Sequence, residues 1–182
     1  MNYSKKQLIQ ENGTNKYLFF WGHRPSKDGS VTASCFSQWW EQSFTVDRVD
    51  YASAEHWMMA EKAKLFGDAD IKELILKAKS PGEAKKFGRK VKKFDPIKWD
   101  QEKYTIVING NFHKFQQHPE MREFLVNTGK RVLVEASPVD PIWGIGLAAD
   151  NEAAQHPIRW KGENLLGFAL MEVRDKLKNE EK

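Results

Sequence analysis

SAEHWMMAEKAKLFGDADIKELILKAKSPGEAKKFG, running from Ser53 to Gly88, carries three helix starts in succession and decides the fold class. Ser53 is an N-cap residue, and the helix behind it runs to about Phe66, where Gly67 stops it. Asp68 caps a second helix with Ile71, Leu74, Ile75 and Ala78 on one face. Ser80-Pro81-Gly82-Glu83 is a capping box with proline at the first helical position, a strong local start signal.

Downstream, Asp95-Pro96 opens a helix through Trp99, Tyr104 and Ile108, with a break expected near Asn109-Gly110-Asn111. Pro119 starts a shorter helix that Gly129 ends, and Asn164 is placed to cap a C-terminal helix through Leu165, Phe168, Leu170, Val173 and Leu177. Upstream, strand signals are few and short. Lys16–Gly22 is an aromatic run that suits a buried strand, and Cys35–Trp40 and Ser43–Tyr51 look extended. His23–Ser34, with Pro25 and Asp28-Gly29, reads as a turn or mobile loop. The expected fold is mainly α: a compact multihelical single domain with a few short β-strands. It comprises a polar N-terminal extension over residues 1–15, frayed in its first dozen, a domain over 16–178, and a charged tail over 179–182.

With 182 residues, 40% of them hydrophobic, the chain can bury a proper core. A net charge of +4 and a pI of about 9.0 favour anionic ligands, although a solvated surface with a slight lysine excess explains them equally. Seven tryptophans are many for this length, so some are expected to line a site. The single Cys35 rules out an internal disulfide and suits a reducing compartment; with no signal-like or membrane-length apolar run, the expectation is a soluble cytoplasmic protein. The five histidines are scattered, so no metal site is expected.

A second stretch, VEASPVDPIWGIGLAAD from Val134 to Asp150, combines Pro138 and Pro141 with Gly144 and Gly146. Proline fixes φ and glycine opens conformations closed to other residues, so this is a shaped loop. Its Asp140 and Trp143 could hold a flat, polar ligand between a carboxylate and an indole; an Asp-Pro turn with a core tryptophan fits the same residues.

Glu55 stands in the first turn of the helix after Ser53, with Met59 and Lys62 on the same face. The positive end of the helix dipole favours an ionised carboxylate there by about 0.3–1 kcal/mol. That suits a base or a stabiliser of developing positive charge, although acids also occur in first turns simply because they stabilise helices. Lys62 could meet phosphate or be surface charge; Arg24, after Gly22-His23, is a further anion candidate or a solvated loop residue. KKFGRKVKKF, Lys85–Phe94, is the densest basic run, but it shows no stacking aromatic series, so a solvated helix face is expected in preference to a nucleic-acid surface. Trp99 and Trp160 follow proline-containing turns and could stack a base or fill core. No phosphate-binding glycine loop, histidine triad or dinucleotide fingerprint is present.

Taken in order, FFWGH (Phe19–His23), SQWW (Ser37–Trp40), YASAEHWMMAEKAKLFGD (Tyr51–Asp68), GNFHKF (Gly110–Phe115), VEASPVDPIWGIGL (Val134–Leu147) and GENLLGFALMEVRDKL (Gly162–Leu177) resemble the NADAR family, the YbiA-like N-glycosidases. The likeness extends from about Tyr17 to Leu177. It implies a compact, mostly helical fold and hydrolysis of the bond between ribose C1′ and a base nitrogen. The implied substrates are phosphorylated ribosylaminopyrimidines of the early riboflavin pathway, or ADP-ribose attached to guanine in nucleic acid. By resemblance the motif residues are Glu55, Lys62, Asp140, Trp143 and Asn164, while Pro141 stands where the family often has a charged or polar residue.

The chemistry asks for a carboxylate near C1′, an oriented water and a hold on the leaving base. Glu55 and Asp140 are expected to flank the ribose, with Glu55 favoured as base. Trp143, with Trp39 or Trp99, is expected to stack on the base, Lys62 and Arg24 to meet phosphate oxygens, and Asn164 to contribute to binding. The scheme needs no metal and no cofactor. The alternatives are a non-catalytic module binding NAD or ADP-ribose, and a nucleic-acid-binding protein using the Lys85–Lys93 run.

Overall fold

The computed structural model describes residues 1–11 and 15–180, so part of the expected N-terminal extension and the last two residues of the expected tail lie outside the described residues. Among the described residues the chain is mainly α with short strands, as expected. In order it runs α1 (Lys5–Gln10), β1 (Tyr17–Phe20), β2 (Phe44–Val46), β3 (Val49–Tyr51), α2 (Ala54–Leu65), α3 (Ala69–Leu76), α4 (Pro81–Gly88), α5 (Pro96–Gln117), α6 (Pro119–Val126), β4 (Val132–Glu135) and α7 (Leu165–Asn179). It divides into two compact units: Gln38–Pro119, and Met1–Ser37 with Glu120–Lys182.

In Gln38–Pro119 the central element is α2. Ser53 Oγ accepts the His56 amide as its cap, and Gly67, at φ +71°, follows its last turn. Every residue from Ala54 to Ala60 is buried, because α3, α4 and α5 all pack against this one helix. Two glycines allow the approach: a Cβ on Gly110 of α5 would collide with the Trp57 indole, and one on Gly88 of α4 with the Met59 thioether. The Trp57 indole N–H then donates to the Ile106 carbonyl at 2.8 Å.

The break expected near Asn109-Gly110-Asn111 does not occur, and α5 continues to Gln117. Glycine and asparagine weaken a helix when nothing else holds them. Here Gly110 admits Trp57, and the Asn111 amide donates one turn back to the Val107 carbonyl and across to the Gln38 side chain. Leu74, expected on the buried face of α3, is 44% exposed. Ile71 and Ile75 define that face, and Leu74 lies about 80° round the helix from their mean direction. β2 and β3 form an antiparallel hairpin whose turn residues, Asp47 and Arg48, have φ of 50° and 65°, the geometry that matches strand twist.

In the other unit β1 and β4 pair in parallel, from Tyr17 opposite Val132 to Phe20 opposite Glu135. α7 lies directly on β4, and a Cβ on Gly167 would strike the Leu133 carbonyl. Phe20, Phe36, Leu133, Leu166, Leu170 and Leu177 build the core, with Phe20 edge-on to Phe36 at a centroid distance of 5.5 Å. Cys35–Trp40 was expected to be extended but begins inside a 3-10 turn, Ala33–Phe36. Thr32 sets that turn by accepting the Ser34 amide on its side chain and the Cys35 amide on its carbonyl. The N-terminal residues expected to fray instead form α1, capped by Ser4, with Leu8 buried and the Tyr3 hydroxyl donating to Asp175 at 2.6 Å. Trp160 is core, 4% exposed, with its N–H donating to the Ala154 carbonyl.

Candidate functional site

Glu55 is only 2% exposed although it is a carboxylic acid. It occupies the first turn of α2, and its own N–H donates to the Gln38 carbonyl at 2.9 Å, so the SQWW segment and the Ser53 cap together set its place. Burying a carboxylate is costly unless nearby dipoles and charges offset it. The helix N-terminus supplies one such field. Lys62, two turns along the same face, supplies another.

The Lys62 ammonium is partly buried. It donates to the Gly88 carbonyl at 3.0 Å and lies 4.2 Å from the centre of the Phe94 ring and 5.5 Å from that of Trp99. Burial pushes its pKa below the usual lysine range, while the negative charge of Glu55 pulls it back up. A partly desolvated ammonium steadied by two aromatic rings is well suited to binding an anionic oxygen. Trp99 therefore stands beside Lys62. Trp39 is partly buried against Gly82 at the start of α4, with the Lys85 ammonium 5.8 Å from its ring.

Gln38, Asn111 and Lys114 are buried polar residues that are not among those expected at the site from sequence. Asn111 and Lys114, three residues apart on α5, are fully buried, and the Asn111 amide donates to Gln38 Oε1 at 2.7 Å. An amide and a lysine at that spacing, among Val107, Ile108 and Phe115, were the available signal.

His56, beside Glu55, is 1% exposed and packed between two partners. Its Nε2 faces the Ala78 carbonyl at 3.1 Å and so carries the proton; its Nδ1 accepts from the Ser53 hydroxyl at 2.8 Å. Burial lowers the His56 pKa, so the unfolded chain takes up this proton more readily than the folded one. The stability this provides is whole above the unfolded value of about 6.5 and is lost as pH falls from there towards the lowered folded value. Thermal melts between about pH 8 and pH 5 are expected to slope more steeply for the native chain than for His56→Gln. Equal slopes would remove His56 as the titrating group.

In the other unit, Asp140 Oδ1 accepts the amides of Ile142 at 2.9 Å and Trp143 at 2.8 Å, turning the chain around Pro141. Trp143 is partly buried, not a core residue. The loop carbonyls then cap α7. Leu165 N–H donates to Ile142 at 3.3 Å, Leu166 N–H to Trp143 at 3.1 Å, and the Glu163 and Asn164 amides to Pro141 and Gly144 at 3.0 Å each. Close approach at this junction needs Gly162, where a Cβ would collide with the Gly144 carbonyl.

Asn164 stands at the N-cap position, but its side chain does not cap the helix, contrary to expectation. At a left-handed φ of 57° it turns to β4, accepting the Glu135 amide on Oδ1 and donating from Nδ2 to the Leu133 carbonyl, both at 2.9 Å. The first amides of α7 are already held by the loop, which leaves its amide for the strand. Arg24 is exposed on the loop that follows β1. Glu55, Lys62, Trp39 and Trp99 thus belong to one unit, and Arg24, Asp140, Trp143 and Asn164 to the other. Among the described residues no three His, Cys, Asp or Glu side chains are placed to hold a metal ion, and no helix is long and apolar enough to cross a membrane.

Several known proteins this chain is similar to are named N-glycosidases. One, from Acanthamoeba polyphaga mimivirus, is 41% identical over 167 residues, covering 89% of this chain and 96% of that protein. N-glycosidase YbiA of Escherichia coli is 32% identical over 144 residues, 79% of each chain. The NMR structure of E. coli YbiA matches with a TM-score of 0.73 at 27% identity, over 95% of this chain and 93% of that one. Residues 19–178 match the NADAR domain and run through both units, and the chain belongs to the NADAR family.

Proposed function

We propose that this chain hydrolyses the bond between ribose C1′ and a base nitrogen, with ADP-ribose carried on guanine as the substrate class. With N-glycosidase relatives at 32–41% identity over most of its length, it is a hydrolase acting on N-glycosyl bonds. The observation that carries the residue assignment is the buried Glu55 carboxylate at the start of α2, with the partly buried Lys62 on the same helix face.

As the C1′–N bond breaks, its electron pair leaves with the base and positive charge grows on the sugar. Glu55 stabilises that charge and takes a proton from the attacking water, whose oxygen forms the new bond to C1′. The leaving nitrogen takes up a proton from solvent. Lys62 holds a phosphate oxygen, with Trp99 beside it. Trp143 is assigned to stacking on a flat group and Trp39 to the aromatic wall. Arg24 is assigned to an outer phosphate. Asp140 is assigned to shaping the loop through Oδ1, leaving Oδ2 to meet a ribose hydroxyl. For Asn164 the assignment is structural, supported by its two bonds to β4.

The test offers DNA ADP-ribosylated on guanine and the phosphoribosylaminopyrimidine side by side, with products separated by chromatography. Release of ADP-ribose from the first is expected. Ribose 5-phosphate from the second alone would move the substrate to the pyrimidine class. A thermal shift with ADP-ribose and no product from either would make the chain a binding module.

A further inference from the structure

We propose that the turn joining α4 to α5, with the end of α2 and the start of α5, is a platform for single-stranded nucleic acid: Phe94 stacks a base, and the lysines around it take the flanking phosphates. The platform deepens the N-glycosidase reading and rests on it for one point, that Lys62 at its edge belongs to the catalytic site.

The turn is built to present Phe94. Val91 anchors it inward, Asp68 Oδ2 accepts the Lys92 amide at 2.9 Å, and Lys93 takes a left-handed φ of 52°. Phe94 then emerges 43% exposed. A left-handed lysine and a phenylalanine in water are both unfavourable.

Phe94 is not alone. Phe66, from the end of α2, meets it edge-on with ring centroids 5.3 Å apart, and Ile97, in the first turn of α5, is 71% exposed. Ammonium groups lie against these rings, Lys62 4.2 Å from that of Phe94 and Lys98 5.9 Å from that of Phe66, and Lys90 lies 5.7 Å from the Phe87 ring of α4. The carboxylates of Asp68 and Asp95 offset part of this charge but form no ion pair with a lysine among the described residues. Asp68 holds the Ile71 and Lys92 amides, and Asp95 holds those of Ile97 and Lys98. Among the described residues Arg89, Lys90, Lys93 and Lys98 form no ion pair.

Along the chain the Lys85–Phe94 run shows no stacking aromatic series. The fold supplies them by bringing Phe66 and Trp99 to the same place. Exposed rings bordered by ammonium groups match a strand whose bases are unstacked, since every base offers a π-face and every linkage a phosphate. A duplex hides the faces Phe94 would use.

The test is fluorescence polarisation with the full chain and a short, unmodified single-stranded DNA oligonucleotide at several salt concentrations. Affinity is expected to fall with salt, with a slope of about −0.7 per phosphate neutralised. Phe94→Ala is expected to weaken binding by roughly 5- to 100-fold, and Phe94→Trp to keep it. Lys90→Gln with Lys93→Gln should lower the salt slope by about 1.4. An abasic strand of equal length should bind the native chain as weakly as the base-bearing strand binds Phe94→Ala. Equal affinity for base-bearing and abasic strands would overturn the proposal, as would heparin, duplex DNA or anionic vesicles binding as tightly as the single strand. Because the oligonucleotide is unmodified, binding is read independently of hydrolysis. Phe94-dependent binding in a chain that hydrolyses nothing supports the platform and overturns the catalytic reading; hydrolysis with base-independent binding does the reverse.

Discussion

Glu55→Gln is expected to lower the rate of hydrolysis by about 10²–10⁴-fold, the usual contribution of a positioned acid–base group. Glutamine keeps the shape of the side chain, so the buried site at the start of α2 stays filled and folding should be little changed. What disappears is the negative charge and the ability to accept a proton. Binding of ADP-ribose, followed by thermal shift, should largely survive. A second consequence follows from Lys62, whose ammonium is destabilised by burial and sustained by the charge of Glu55. Removing that charge lets Lys62 lose its proton at lower pH, so the alkaline limb of ligand binding should move down in pH in the variant. Near-normal single-turnover rates in Glu55→Gln would end the assignment.

Asn164→Ala is expected to destabilise the chain severely. Its side chain is the partner of the Glu135 amide and the Leu133 carbonyl, and the residue holds a left-handed φ of 57°. Alanine leaves both backbone groups unsatisfied at about 1–3 kcal/mol each and adds about 1–2 kcal/mol for the left-handed conformation. The sum, about 3–6 kcal/mol after some relaxation, is a large part of the stability of an ordinary domain. The melting temperature should fall by roughly 10–20 °C. Asn164→Gly relieves the conformational part alone and should recover only a small share. An unchanged melting temperature with a raised KM would instead make Asn164 a substrate ligand.

These two residues show what could be read from residue order. Glu55 was found because a first-turn acid behind Ser53 is a local pattern, and its burial was not: α2 shows no apolar stripe, and it is enclosed because α3, α4 and α5 pack against it, with Gly110 and Gly88 allowing α5 and α4 to come close. Asn164 was correctly placed at a helix start, yet its side chain went to a strand some thirty residues away in sequence, since loop carbonyls had already taken the helix amides.

The aromatic surface around Phe94 was invisible for a similar reason. Phe66 stands at the end of α2, Phe94 in the turn before α5 and Trp99 within α5, so along the chain α3 and α4 separate the first from the other two. The Val134–Asp150 loop was recognised as shaped from its prolines and glycines, and Asp140 does turn it; that the same loop caps α7 needed the fold.

By itself the sequence determined where α2 to α7 begin, because capping and turn chemistry act within about four residues along the chain. It also determined the family, through motifs that keep their order from Phe19 to Leu177. Only the tertiary structure decided which polar groups are buried, which side chains serve the backbone, and which aromatics share a surface with the lysines. Those depend on how closely distant segments approach, and that distance is set by packing, not by local preference.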